Sequence, residues 1–226
     1  MADSEFVYGI FKEETKNRFL CQVTIDDKDV ECYIPSSCRL SNFIDLKGRT
    51  VILKPTQAKN ARTAYAIYAV KTGSRFVLLN LSQTNRIVED AIHSRRFAFL
   101  GPRERVFREY TINGYKSDIF IADTMTIVEI KSVLSWEKEA LFPTVYSERG
   151  IKQLSQLLSL QNMGFRVCYL FISLNDVVKT ICLNRSIAEY TNLFDQCLRQ
   201  GMVCHGFSLK LNDNIPVLSS SIPVNL

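Results

Sequence analysis

The run RVCYLFIS at 166–173 is apolar almost throughout and rich in β-branched and aromatic residues. Such a run predicts a strand covered on both faces, as in a sheet packed between helices. Before it, Ile151, Leu154 and Leu158 recur at helical spacing, and Gly164 is well placed to end that helix. The run is too short to cross a bilayer, so we expect no membrane span.

The same alternation of helices and strands continues on both sides of this run. The order of predicted elements favours a mixed α/β sheet flanked by helices, which we assign to residues 81–226. Ser186 begins a capping-box pattern for the last helix, and Gly201 closes that helix. The predicted elements are a helix over 85–97, strands over 105–111, 116–122 and 126–133, a helix around 151–160, and strands over 166–173 and 203–211.

Short strands separated by turns fill the beginning of the chain. Five of them in about seventy residues suit a small β-barrel of the oligonucleotide-binding (OB) kind, which we assign to residues 1–80. They are predicted over 5–11, 18–25, 30–34, 50–55 and 64–71.

Residues 46–83 hold no acid, but they hold seven lysines and arginines interleaved with aromatic residues. A basic face with aromatic rings attracts a phosphate backbone and gives bases a surface for stacking. An ordinary solvated basic face is the alternative interpretation. The predicted nucleic-acid-binding residues are Arg49, Lys54, Lys59, Arg62 and Tyr65, with Arg86 beyond them.

Seven cysteines are present, none of them in C-x-x-C spacing, and there are only two histidines. This pattern gives no support to a zinc cage and favours reduced thiols. The acidic N-terminus has no apolar leader segment. We therefore expect a cytoplasmic protein.

The segment 116–131 carries the pattern most suggestive of chemistry. If Asp123 and Thr124 form a hairpin turn, counting back along both arms places Asp118 opposite Glu129, with Lys131 on the same face. Facing carboxylates repel each other unless one is protonated or a cation lies between them. Oxygen ligands suit Mg²⁺ or Mn²⁺, and the lysine suits an attacking water or a charged phosphate. The alternative, purely structural interpretation is a cross-strand charge cluster at a sheet edge.

The pattern D-x(10)-E-x-K, preceded by a helix and followed by a helix and a strand, resembles the PD-(D/E)xK nuclease core. More narrowly, the chain is similar to the SfsA (sugar fermentation stimulation protein A) family, which joins an OB-like domain to such a core. The similarity is carried by NRIVEDA at 85–91, KSDIF at 116–120, VEIKSV at 128–133, ALFP at 140–143, SERG at 147–150, KQL at 152–154, EY at 189–190 and residues 201–207. The loop at 35–40 departs from the family pattern.

The resemblance implies further site residues. Asp90 takes the position of the acidic residue that the family carries on the helix before the hairpin, the helix acid, where it would be a third metal ligand. Glu89 beside it is the alternative. Arg149 and Gln153 share a helix face that the family pattern places near the hairpin, where the arginine would hold a phosphate. Helix-start capping and ordinary surface charge are the alternatives for this pair.

The sequence therefore predicts a Mg²⁺- or Mn²⁺-dependent nuclease that cuts DNA or RNA held by the basic barrel, and that works as a possible homodimer. Its predicted catalytic residues are Asp118, Glu129, Lys131, Arg149 and Gln153, with Asp118, Glu129 and Asp90 as metal ligands. The alternative is a nucleic-acid-binding regulatory protein, related to sugar metabolism, on a nuclease scaffold with little catalysis.

Overall fold

A computed structural model describes residues 6–36, 39–56, 61–212 and 214–226. The predicted barrel is present. Its strands follow the order β3-β2-β1-β4-β5 with antiparallel neighbours, and a parallel pairing of β3 with β5 closes it; β6 extends the sheet beside β5. The strands are β1 (Val7–Glu14), β2 (Leu20–Ile25), β3 (Lys28–Tyr33), β4 (Thr50–Pro55), β5 (Tyr65–Thr72) and β6 (Arg75–Leu78).

Gly9 lets β1 and β2 approach closely in this barrel. A Cβ atom at that position would lie 2.5 Å from Val23 Cγ1 and 2.8 Å from the Thr24 carbonyl oxygen. A side chain is therefore excluded where the two strands meet.

The mixed sheet predicted for the second half is also present. Three central strands, β11, β13 and β15, are parallel, and antiparallel strands flank them in the order β16-β15-β13-β11-β10-β7. Two smaller sheets, β12-β14-β17 and β8-β9, accompany it. The elements are α1 (Thr84–Ala91), β7 (Val106–Arg108), β8 (Thr111–Ile112), β9 (Tyr115–Lys116), β10 (Ile119–Ile121), β11 (Thr126–Val133), β12 (Glu139–Phe142), α2 (Glu148–Asn162), β13 (Arg166–Ser173), β14 (Thr180–Leu183), α3 (Ala188–Arg199), β15 (Val203–Asn212), β16 (Ile215–Ile222) and β17 (Val224–Asn225).

The strand predicted to be covered on both faces is confirmed as β13, since all its residues after Arg166 are buried. Its two faces pack against different hydrophobic cores. Phe171 packs with α2 and α3, whereas Leu170 belongs to one contiguous apolar cluster that includes α1 and the interior of the barrel. The barrel and the mixed sheet are thus joined by shared apolar packing.

Polar contacts also cross between the barrel and the mixed sheet. The Tyr68 hydroxyl donates to the Asn214 carbonyl oxygen at 2.5 Å. Arg75 pairs with Asp176 at 3.2 Å.

Three local predictions differ from the structure. The first helix ends at Ala91 rather than at residue 97, and a 3₁₀ helix follows at Arg95–Leu100. The strand predicted over 105–111 is interrupted because Glu109 adopts a left-handed conformation, with φ of 51°. The capping box is wrong, since the Ser186 hydroxyl donates to Asn184 Oδ1 instead. Among the helices in the described ranges, none has the length and apolar character needed to cross a membrane.

Candidate active site

The hairpin of β10 and β11 has the predicted register. Ile119 pairs with Val128 and Ile121 with Thr126, so continuing the ladder by one pair places Asp118 opposite Glu129. The turn itself is a short 3₁₀ helix over Ala122–Thr124 rather than a simple two-residue turn. The Asp123 carboxylate accepts hydrogen bonds from two backbone amides of the preceding segment, at 2.7 and 2.8 Å, which fixes the hairpin end away from the site.

Asp118 is held from two sides. Its Oδ2 accepts from the Ile130 backbone amide at 2.7 Å, and its Oδ1 accepts from Asn85 Nδ2 at 2.8 Å. Burial, followed by the charge of Glu129, raises the pKa of Asp118 to about 6. The carboxylate is therefore still mostly ionised near neutral pH, but its charge is destabilised unless a cation compensates for it.

Glu129 is almost completely buried, at 2% exposure. Its Oε2 accepts a hydrogen bond from the Tyr115 hydroxyl, and its Oε1 accepts from Gln153 Nε2 at 3.1 Å. Burial, together with the Glu129 charge, raises the pKa of Tyr115, which therefore stays a neutral donor. The carboxylate is thus fixed by donors on β9 and α2.

Lys131 completes the cluster on the same strand. Its Nζ lies 2.7 Å from Glu129 Oε1 and 2.7 Å from Gln153 Oε1. The same ammonium group lies 5.7 Å from the centroid of the Tyr169 ring, which is close enough for a favourable cation–π contact. The lysine therefore has a defined position beside both the acid pair and α2.

Helix α1 contributes Asn85 to the cluster and leaves Asp90 apart from it. Asp90 is 72% exposed, and its ion pair is with Arg86 at 4.0 Å. Residues four apart on a helix are rotated by about 40°, whereas residues five apart are rotated by about 140°. Glu89 therefore lies on the side of Asn85 and Asp118, and it pairs there with Arg108 at 3.4 Å. Of the two acids considered for this helix, Glu89 rather than Asp90 lies on the Asn85 side of α1, and a metal-binding role for either stays a prediction.

Arg149 is exposed in the first turn of α2, whose N-cap residue Ser147 accepts from the Gly150 amide at 3.2 Å. Its charge opposes the rise in the pKa of Tyr115, which places it close to the cluster. Over the described ranges it makes no hydrogen bond or salt bridge, so its guanidinium is available to a ligand.

Two residues of this site were missed by sequence reasoning. Asn85 opens the block NRIVEDA, four residues before Glu89, and this spacing was the available signal. Tyr115 directly follows Asn113-Gly114, a dipeptide typical of tight hairpins. Both of these turn residues have positive φ, 47° and 80°, and the β8–β9 hairpin carries Tyr115 to Glu129.

The predicted nucleic-acid-binding residues that the structure describes lie in different surroundings, and their role stays a prediction. The Arg49 guanidinium lies 4.7 Å from the Trp136 ring centroid, in the loop after β11. Lys54 lies over the Tyr68 ring at 3.9 Å, and burial lowers its pKa. Arg62 is exposed, and Tyr65 is half-buried on β5. Lys59 lies outside the described residues.

The donor set fits a hard divalent cation only in part. In the portion of the chain that the structure describes, no three His, Cys, Asp or Glu side chains are grouped to hold a metal. Asp118 and Glu129 form a pair, and Mg²⁺ is commonly bound through one or two carboxylates, with water and phosphate oxygens completing its shell. The destabilised charge of Asp118 is an observation that agrees with such a site.

Two family models match this chain. One, described as the sugar fermentation stimulation protein RE domain, matches residues 82–214, and the other, described as the SfsA N-terminal OB domain, matches residues 14–79. Curated relatives carry the name sugar fermentation stimulation protein homolog. The one from Methanobrevibacter smithii is 29% identical over 181 residues, covering 74% of this chain and 75% of the relative. The one from Clostridium kluyveri is 24% identical over 218 residues, covering 93% of each.

A solved structure, that of Pyrococcus furiosus SfsA in complex with Ca²⁺, is similar over 100% of this chain and 98% of the other. The TM-score is 0.85 at 21% sequence identity, which establishes the shared fold. The barrel and the mixed sheet are therefore arranged as in that protein. Because a family model covers more than half of its length, the chain belongs to the sugar fermentation stimulation protein (SfsA) family.

Proposed function

We propose that this SfsA-family protein is a metal-dependent nuclease that hydrolyses phosphodiester bonds in DNA or RNA. The observation that carries the proposal is the cluster of Asp118, Glu129 and Lys131, in which a half-buried Asp118 faces a buried Glu129 and the lysine lies 2.7 Å from Glu129. Structural neighbour Pyrococcus furiosus SfsA was solved in complex with Ca²⁺, and this supports a divalent cation in the family.

Each residue of the cluster has a defined part in this proposal. Asp118 and Glu129 hold Mg²⁺ or Mn²⁺, which polarises a phosphoryl oxygen when bound. Lys131 neutralises negative charge that develops on the phosphate or takes a proton from the attacking water. Gln153 positions the ammonium group of Lys131, with which it shares a 2.7 Å hydrogen bond.

Two more residues extend the proposal to substrate binding. Arg149 is exposed beside the cluster, and its guanidinium suits a bidentate contact with a phosphate. Glu89 is the helix acid closest in orientation to Asp118 and would approach the metal shell through a water molecule. The homodimer stays a prediction.

A nucleic-acid-binding regulatory protein on this scaffold is the second candidate function. One observation favours it: the Lys131 ammonium already pairs with Glu129, so one of the two carboxylates is compensated without a metal. In that case nucleic-acid binding would depend on salt but would not require a metal.

Cleavage assays separate the two candidates. Purified protein is incubated with single- and double-stranded DNA and RNA, in Mg²⁺ or Mn²⁺ and in EDTA. We expect metal-dependent cleavage that falls about 100-fold or more in Lys131→Ala. Lys210→Ala is the matched control, because Lys210 is an exposed lysine on β15.

Equal residual cleavage by the wild type and Lys131→Ala would contradict the nuclease proposal. Salt-dependent binding that persists in Asp118→Asn and Glu129→Gln, with no cleavage by any of the proteins, would instead favour the regulatory protein.

A further inference from the structure

A cavity of 580 Å³ opens at one end of the barrel, away from the acid cluster. It lies between the β1–β2 connection and the described residues 56 and 61–63. Its volume is in the range of pockets that hold small organic ligands. The residues that line it include Asn17, Phe19, Tyr33, Thr56, Arg62 and Thr63.

Two aromatic rings form the partly open walls of this cavity. Phe19, in the β1–β2 connection, is 36% exposed, and Tyr33, at the end of β3, is 40% exposed. The Ile34 amide donates to the Phe19 carbonyl oxygen at 2.8 Å, which fixes the two segments side by side. Flat, partly exposed rings next to a concave apolar space suit stacking of a planar group.

The connection that carries Phe19 is preorganised. The Phe19 amide donates to Asn17 Oδ1 at 3.1 Å, and the Leu20 amide donates to the Asn17 carbonyl oxygen at 2.9 Å. From the other side, the Arg39 guanidinium donates to the carbonyl oxygens of Thr15 and Lys16 at 3.0 and 2.8 Å. The backbone that carries the ring is therefore ordered before any ligand arrives, which lowers the entropic cost of binding.

The charges at the rim are cationic. The Arg18 guanidinium lies 4.7 Å from the Phe19 ring centroid, and Arg62 lines the cavity. Neither arginine, nor the exposed Lys16, forms a salt bridge in the described part of the chain, and no described lining residue is acidic. The nearby Glu14 is directed elsewhere, since it accepts from the Leu40 amide at 2.7 Å.

From these observations we infer that the cavity takes an unpaired base of single-stranded nucleic acid, stacked on Phe19 and Tyr33, with Arg18 and Arg62 on the adjoining phosphates. A phosphate backbone complements the free cations, and an unpaired base is the planar group that such a backbone carries. The inference rests on the proposed function for its choice of nucleic acid, and it adds that the substrate is single-stranded at this site. A base within a duplex could not enter, because both of its faces are already stacked.

Binding is measured on the full-length protein in EDTA, so that no cleavage intervenes. Fluorescence anisotropy compares a labelled single strand of about 15 nucleotides, the upper site size of an OB fold, with a blunt duplex of the same length. We expect preference for the single strand, and a loss of about 5- to 100-fold in Phe19→Ala and Tyr33→Ala. Tyr33→Phe keeps the ring and should keep the affinity.

Two further variants separate the effect of the cavity residues from a general effect on the barrel. Tyr8→Ala removes a 52% exposed ring on β1 that does not line the cavity, and it should bind like the wild type. Arg62→Ala alters only an exposed side chain and should reduce the salt dependence of binding by about 0.7 in the log–log slope.

Equal affinity for duplex and single strand, equal losses in Phe19→Ala and Tyr8→Ala, or no binding of any oligonucleotide at low salt would overturn the inference. The last result would favour a protein partner for the cavity.

A cleavage assay with Mn²⁺ keeps the two proposals apart. If Phe19→Ala weakens binding but neither it nor the wild type cleaves, the cavity assignment stands and the nuclease proposal falls. If the wild type cleaves and Phe19→Ala binds and cleaves equally well, the nuclease proposal stands and the cavity assignment falls.

Discussion

The acid cluster on the mixed sheet and the cavity on the barrel use charge in opposite ways. At the cluster, Glu129 is buried and every charged group is held by another residue, as Lys131 is held by Glu129 and Gln153. At the cavity, Arg18 and Arg62 are exposed beside half-open aromatic rings. Chemistry on a phosphate needs fixed charges in a dry environment, whereas capture of a flexible strand needs charges that water leaves accessible.

The two regions should also differ in how their charges affect the free energy of unfolding. The charges at the cluster should change it by kilocalories per mole, in either direction, whereas the exposed cations on the barrel should change it little. Substitutions in the two regions can therefore test whether the difference is real.

The largest effect is expected for Asp118→Asn in metal-free buffer. A rise in the pKa of Asp118 from 3.8 to about 6 corresponds to about 3 kcal/mol. Between these two pH values the folded chain retains a proton that the unfolded chain releases, so the stability of the wild type falls as pH rises through this window. At about pH 8 the variant should be more stable by up to about 3 kcal/mol, measured by urea unfolding.

The gain in Asp118→Asn should vanish below about pH 4, where the wild-type carboxyl is protonated in both states. A variant that is less stable than the wild type at both pH values would show that the buried charge is fully compensated without metal.

Tyr115→Phe should destabilise the protein by about 2 kcal/mol, because it leaves a buried Glu129 oxygen without its hydroxyl donor. Tyr146→Phe is the matched control, since it removes an exposed hydroxyl bond to Glu189 of 3.1 Å and should change stability by less than about 0.5 kcal/mol. Thermal or urea unfolding of both variants measures the difference. Equal losses would mean that the cluster is no more sensitive than the surface.

Gln153→Ala should lower the rate of cleavage about tenfold, because both Lys131 and Glu129 lose a positioning partner. The fall should appear in kcat more than in KM, since Gln153 acts through its neighbours. Lys152→Ala, the adjacent exposed position on α2, should cleave like the wild type. A change in KM alone would instead assign Gln153 to substrate binding.

The smallest effect is expected for Arg49→Ala, which removes a cation–π contact with Trp136 and should cost about 0.5–1 kcal/mol. The emission of Trp136, the single tryptophan, should shift, while oligonucleotide affinity should stay close to that of the wild type. Lys71→Ala, at an exposed lysine on β5, is the matched control. A loss of affinity in Arg49→Ala as large as that in Arg62→Ala would support the prediction that Arg49 binds nucleic acid.

The same two regions show what the sequence can predict. The hairpin register was predictable because Asp118 and Glu129 lie on adjacent strands, and the side-chain period of two determines their facing once the turn is placed. The face of α1 was not predictable in this way. Asp90 and Glu89 are neighbours in sequence, and only the packing that turns Asn85 toward Asp118 separates them.

The arrangement of the basic residues depended entirely on tertiary contacts. Sequence periodicity could not predict the contact of Arg49 with Trp136 or the ion pair of Arg75 with Asp176, because the partners come from distant parts of the chain. The cavity at Phe19 and Tyr33 likewise forms only when the barrel brings its connections together.

Cation binding by Asp118 and Glu129 can be measured by calorimetric titration of Mn²⁺ into the wild type, Asp118→Asn and Glu129→Gln, at about pH 7.5 where Asp118 is ionised. If the acid pair binds a divalent cation, the wild type should bind Mn²⁺, and binding should weaken at least about tenfold in each variant. Binding of equal strength in all three proteins, or no binding by the folded wild type, would contradict cation binding by the acid pair.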